Sequence, residues 1–179
     1  SVTVTDAISC SQTQAGITVD QPAVLSATVN FTNVSCNSAG DGTIAISLPT
    51  GGNGGATYQY QLNSLGWQAS GNFTTLAPNT YSVQMRETAH TACSVVLRNQ
   101  VISQPAVLAA TLNKTDVSCF GSSDGIIAIT PSGGYGTYEY SKIGGTNWQS
   151  GSSFTGLAPA TYSALQIRDA ANPSCVASL

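Results

Sequence analysis

Residues 73–81 read FTTLAPNTY, and residues 154–162 read FTGLAPATY, with seven of nine positions identical. A nonapeptide that returns after 81 residues marks an internal repeat. Its chemistry reads as strand, corner, strand. Phe73 and Leu76 begin an apolar face, Pro78 bends the chain, and Tyr81 opens the next strand. Corners of this kind occur in two-sheet sandwiches, where the tyrosine hydroxyl bonds back to backbone a few residues upstream.

Other segments repeat with it. QPAVL stands at Gln21–Leu25 and again at Gln104–Leu108. Proline offers no ladder donor and disfavours helix at the residue before it, so each Gln–Pro marks a boundary. Residues 1–20 are then expected to be the C-terminal tail of a preceding repeat. Residues 21–103 form one β-sandwich repeat, and residues 104–179 form a second one, truncated in its last strand. The joint carries no Gly/Ser spacer, which predicts a stiff connection.

Composition narrows the function. Apolar residues make up 41% of the 179, enough for cores, but only 7% are charged, far below the roughly 25% of ordinary soluble domains. The polar surface comes instead from 23 Ser and 21 Thr, and Thr suits strands. Five Lys and Arg, spread singly in a chain of net charge −3, give no basic footprint for nucleic acid. No apolar run reaches the ~20 residues of a membrane-spanning helix, and the start SVTVTDAISC shows no signal-peptide pattern. The segment reads as cut from something longer.

In order, Val2–Asp6 alternates like an edge strand. Strands are expected over Ser26–Val34, over Thr43–Leu48 with Ile44, Ile46 and Leu48 facing in, and over Tyr58–Leu62 with Tyr58, Tyr60 and Leu62 on one face. Tyr81, Val83 and Met85 face inward after the corner, and Cys93–Val101 begins the last strand. In the second copy Ile127 and Ile129 take the inward places. Tyr81 to Arg86 is five residues but Tyr162 to Arg168 is six. The extra residue predicts a β-bulge near Ala164–Leu165. No helical period holds across ten positions, and short strands recur every ~8–12 residues. The expected fold is all-β: tandem immunoglobulin-like β-sandwich repeats of about 80 residues.

Five cysteines are present without a CxxC, and one His cannot complete a Cys/His zinc set. Cys36 and Cys119 are 83 apart, as are Cys10 and Cys93, while Cys93 and Cys175 are 82 apart. One bridge per repeat is the natural pairing, Cys36–Cys93 and Cys119–Cys175, with reduced buried thiols as the alternative. Cys10 becomes the last cysteine of a repeat before the first. Bridges imply an oxidising compartment.

Candidate chemistry is sparse. Asp41–Gly42 and Asp124–Gly125 recur. Each pair caps a tight turn through the Asp side chain and a positive φ at Gly, or Asp41 and Asp124 serve as calcium ligands. No other cofactor is indicated. Trp67 and Trp148, each before Gln, are core or semi-core residues, or a platform for sugars. Arg86–Glu87 and Arg168–Asp169 read as a surface ion pair, or as a carboxylate that orders the next loop. His90 has no copy and is a loop residue. The glycine-rich runs Gly51–Gly55 and Gly133–Gly136 lack the lysine and helix of a phosphate loop. No repeated acid–base pair stands beside a nucleophile, so the chain is expected not to be an enzyme.

The assembled pattern is VSC, DG, a Gly pair, Tyr-x-Tyr, Trp-Gln, the LAP corner and a closing Cys. It is carried by Val34–Cys36, Asp41–Gly42, Gly51–Gly52, Tyr58, Tyr60, Trp67, Phe73–Tyr81 and Cys93. The copies are Val117–Cys119, Asp124–Gly125, Gly133–Gly134, Tyr138, Tyr140, Trp148, Phe154–Tyr162 and Cys175. It resembles the SprB repeat of gliding-motility surface adhesins. Many members carry Gly in the corner where this chain has Asn79 and Ala160. The resemblance implies a non-catalytic segment of a long cell-surface filament, exported by the type IX secretion route. Such a segment acts as a stiff, disulfide-stapled stalk and a surface-binding array. Its partners are neighbouring repeats and a surface polysaccharide or solid substratum, with no nucleic acid and no membrane insertion. The alternative is a carbohydrate-binding β-sandwich module using exposed Trp and Tyr.

Overall fold

The computed structural model describes residues 1–53 and 57–179, so Gly54 and Gly55 of the glycine-rich run lie outside the described residues. Among the described residues all fourteen elements are strands. A hairpin of β1 (Val2–Thr5) and β2 (Ser11–Gln14) comes first, exposed along both strands.

Repeat one holds β3 (Ala23–Thr32), β4 (Gly42–Gly52), β5 (Tyr58–Leu62), β6 (Asn72–Leu76), β7 (Asn79–Glu87) and β8 (Ser94–Ile102). They form two antiparallel three-stranded sheets, ordered β3-β4-β6 and β5-β7-β8. Repeat two holds β9 (Ala106–Thr115), β10 (Gly125–Gly134), β11 (Tyr138–Ser141), β12 (Ser153–Leu157), β13 (Gln166–Asp169) and β14 (Val176–Ser178). Its sheets, β12-β10-β9 and β11-β13-β14, copy the same order. No sheet mixes strands across Gln104–Pro105. The registers match too: Tyr58 faces Glu87 as Tyr138 faces Asp169, and Tyr60 bridges Gln68 as Tyr140 bridges Gln149.

Alternation explains the cores. Ile44, Ile46, Tyr60, Leu62, Tyr81, Val83 and Met85 are buried together, and Tyr58 packs partly buried against them. Repeat two gathers Ile129, Tyr140, Phe154, Leu157, Leu165 and Ile167, with Ile127 and Tyr138 against them. At ~25 cal/mol per Å² of apolar surface, such residues supply most of each repeat's stability. Repeat one has the larger core because β8 runs nine residues and delivers Ile102, whereas β14 runs three.

The corner forms as its residues dictate. Tyr81 Oη donates to the Ala77 carbonyl and Tyr162 Oη to the Ala158 carbonyl, both at 2.9 Å. Two expectations fail locally. Leu48 does not face in. Its φ is 51° and its side chain is 75% exposed, because the β3–β4 register shifts between Ser26 and Thr28 and breaks the alternation there. The β-bulge expected near Ala164–Leu165 does not form within a ladder, since residues 160–165 hold no strand. The β11–β13 ladder runs unshifted from Tyr138↔Asp169 to Ser141↔Gln166. The extra residue is absorbed before it, in the irregular stretch 160–165.

Candidate functional site

The disulfide does not close within a repeat. Cys36 of repeat one is bonded to Cys175 of repeat two, with Cα atoms 5.5 Å apart, while Cys10, Cys93 and Cys119 are free and exposed. The expected pairs Cys36–Cys93 and Cys119–Cys175 are therefore corrected. The 83-residue recurrence identifies equivalent cysteines but not which end of a repeat each occupies. Cys36 follows β3 and lies beside the end of β8, since the Val34 N–H donates to the Ser103 carbonyl. Cys93 lies at the other end of β8, and nine residues of strand span roughly 30 Å. An opening cysteine thus meets the closing cysteine of the next repeat, not its own.

Hydrogen bonds gather around that bridge. The Tyr135 hydroxyl donates to the Val34 carbonyl at 2.6 Å. Asn37 Nδ2 donates to the Pro105 carbonyl at 2.9 Å, and the Ser38 N–H donates to Gln104 Oε1 at 2.8 Å. Ser38 can present that N–H because its backbone is left-handed, φ 62°. A cleft of about 260 Å³ remains between Cys36, Pro105, Leu108, Asp169 and Cys175. The joint is the part of the molecule where the most chemistry converges. Gln104–Pro105 was legible as a boundary because it repeats. Tyr135 was not, since Asn53 holds its place in repeat one.

The Asp–Gly pairs shape the turn that carries each opening cysteine. Asp41 accepts from the Ser35 N–H at 2.9 Å and from Ser35 Oγ at 2.5 Å. Asp124 accepts from the Ser118 N–H at 3.0 Å. Bonds from Ser35 and Ser118 hold both carboxyls below the usual aspartate range. The positive φ expected at Gly42 and Gly125 is not adopted at either, and Gly42 serves close approach instead. A Cβ there would stand 2.7 Å from Ile102 Cγ2 and 2.9 Å from the Leu76 carbonyl oxygen. Among the described residues, no group of three or more His, Cys, Asp or Glu gathers around either aspartate as a metal set.

Glu87 and Asp169 do order the neighbouring loops. Both are buried. Glu87 accepts from the Asn53 N–H at 2.5 Å and faces His90 Nδ1 at 3.0 Å, and these bonds, the Asn53 N–H first, hold its carboxyl below the ordinary glutamate range. Asp169 accepts from the Tyr135 and Ala171 N–H groups. It thereby fixes the loop from which Tyr135 reaches repeat one.

Trp67 and Trp148 are half-buried and not part of the buried cores. The guanidiniums of Arg86 and Arg168 lie 4.3 Å from the respective ring centroids, a stacking that favours Arg over an aromatic face. Arg86 donates to Gln59 Oε1 at 3.0 and 2.8 Å, and Arg168 pairs with Glu139 at 2.6 Å. Each repeat therefore presents a Trp–Arg–polar row.

No curated protein and no solved structure gives a significant match. The family model described as SprB repeat matches twice, over residues 28–66 and 111–147.

Proposed function

We propose, from the two matches to the SprB repeat model over residues 28–66 and 111–147, that the chain is a non-catalytic segment of an extracellular surface adhesin whose task is to carry tension. The Cys36–Cys175 bridge carries this reading. Tension applied at residues 1 and 179 passes from Cys36 to Cys175 through the sulfurs and bypasses the 139-residue separation between them. The strands between Cys36 and Cys175 are shielded from the load, which within the two sandwiches falls on β3 and β14 alone. Tyr135, Asn37 and Gln104 hold the joint in one orientation around the bridge.

The finer picture is an outer-surface filament in gliding motility, exported by the type IX route, with these repeats as stalk and weak contacts multiplied along it to grip a polysaccharide or solid substratum. Single-molecule pulling from the termini tests the mechanical core of it. With the bridge closed, only residues outside the loop can extend, about 140 Å at ~3.4 Å per residue. After reduction the whole chain extends, about 600 Å. Equal extension in both states overturns the reading.

A second reading rests on the repeated Trp–Arg rows: one ring face is covered by guanidinium, and the residue stays partly exposed. Such a row suits a sugar ring edge. A glycan array with the intact protein and with Trp67→Ala/Trp148→Ala tests it, and binding unaffected by the double substitution ends it.

A further inference from the structure

The two Trp–Arg rows are built alike and charged differently. In each repeat the loop that carries the tryptophan is pinned to the strand beside it. The Tyr60 N–H donates to the Gln68 carbonyl at 2.8 Å, and the Gln68 N–H donates back to the Tyr60 carbonyl at 3.0 Å. Tyr140 and Gln149 exchange the same two bonds at the same distances. Gln68 Nε2 then reaches the Ser70 and Asn72 carbonyls, and Gln149 Nε2 the Gly151 and Ser153 carbonyls. Trp67 and Trp148 are thereby held at the surface, half-buried and outside the buried cores. That forgoes apolar burial in both repeats, but a ring already fixed in place lowers the ordering cost of binding.

The guanidinium stacked on each ring meets a different partner. Arg168 is paired with Glu139 at 2.6 Å, which neutralises its charge. The strand register puts Gln59 opposite Arg86 where Glu139 stands opposite Arg168. Arg86 Nε and Nη2 both donate to the single oxygen Gln59 Oε1, which leaves three of a guanidinium's five N–H groups unspent. Among the described residues no carboxylate pairs with Arg86. Glu87, the next residue, is buried on the opposite face of β7, because side chains alternate along a strand. The residues that share the face of Arg86 on β5 and β7 are Gln59, Gln61, Ser82 and Gln84, all uncharged.

We propose, building on the saccharide reading of these rows, that the row of repeat one is a site for an acidic polysaccharide. Arg86 takes the carboxylate of a uronate residue, and the exposed part of Trp67 takes its sugar ring. Arginine suits that task because its planar fork matches a carboxylate, and charge-assisted hydrogen bonds are about twice as strong as neutral ones. The row of repeat two turns the same carboxylate away, since Glu139 already occupies Arg168 and adds a like charge. One substitution, Gln against Glu at equivalent places, sets the difference.

The chain has two tryptophans, so two indole N–H resonances report the two rows separately, and Trp67→Phe assigns them. The intact chain is titrated with a galacturonate trimer, with the methyl ester of that trimer, and with acetate, and both resonances are followed by heteronuclear NMR. The galacturonate trimer should shift the Trp67 signal with an affinity about tenfold or more above that of the ester, and leave Trp148 unmoved. Gln59→Glu, a side chain the fold already accommodates at Glu139, should abolish the Trp67 response. Glu139→Gln should give Trp148 the response of Trp67. An ester that shifts Trp67 as strongly as the acid, or an equal acid response at both tryptophans, overturns the proposal and leaves the saccharide reading standing. Acetate acting as strongly as the trimer also overturns it, because the sugar ring then adds nothing. Silence of both signals with both trimers ends the saccharide reading and the proposal together.

Discussion

Thr75 and Gly156 occupy the same position of the repeated corner and share a left-handed backbone, φ 55° and 66°. They are one of the two differences between FTTLAPNTY and FTGLAPATY. A β-branched residue in that region is strained, and glycine is not. Thr75→Gly should therefore raise stability despite the lost side chain, and Gly156→Thr should lower it by about 1–2 kcal/mol. Urea unfolding of each variant measures both. A gain from Gly156→Thr would refute the argument.

Acid should weaken the protein through three carboxylates. Glu87 is held below its ordinary value of 4.5, and Asp41 and Asp124 below 3.8, by hydrogen bonds to their ionised forms. A group with a depressed folded pKa stabilises above its unfolded pKa, and that stability is lost as pH falls through the folded value. Thermal midpoints should thus be level above pH 5 and drop below about 4.5. Glu87→Gln should remove part of that dependence. A Glu87→Gln curve parallel to the parent would show that Glu87 does not contribute.

Gln100 is the misfit in β8. It is 3% exposed, its Oε1 finds no partner among the described residues, and its Nε2 donates to the Val101 carbonyl at 2.7 Å. An unmet buried acceptor costs about 1–3 kcal/mol. Gln100→Leu, which puts an apolar residue where the equivalent Ile17 already stands, should stabilise repeat one by roughly 1 kcal/mol in urea titration. A loss would mean that the amide bond to Val101 outweighs the orphaned oxygen.

The corner, the Tyr-x-Tyr strand and the inward Ile44, Tyr81 and Met85 were legible because side-chain direction in a strand follows local period. Leu48 was not, since a register shift with β3 is a pairing property that no local window contains. The extra residue before Arg168 was legible as a count and as a place but not as a conformation, because a bulged ladder and an irregular stretch absorb it equally well. The disulfide partner failed for a related reason. Translation along the sequence relates Cys36 to Cys119, while bonding depends on which end of a nine-residue strand a cysteine occupies. Tyr135 needed the joint itself, its counterpart in repeat one being Asn53, which has no phenol to reach across.

Removing the bridge should separate its role from that of the free thiols. Cys36→Ser opens a loop of 139 residues' separation, for which chain entropy alone predicts a loss of about 5 kcal/mol. The hydrogen bonds of Tyr135 and Ser38 across the joint should loosen with it, so amide exchange at Ser38 should accelerate while exchange within β7 of repeat one changes far less. Cys93→Ser and Cys119→Ser, at exposed and unbonded positions, should each leave monomer stability within about 0.5 kcal/mol. Large losses from Cys93→Ser and from Cys119→Ser, as well as from Cys36→Ser, would restore bridging within each repeat. The joint would then be held by hydrogen bonds alone.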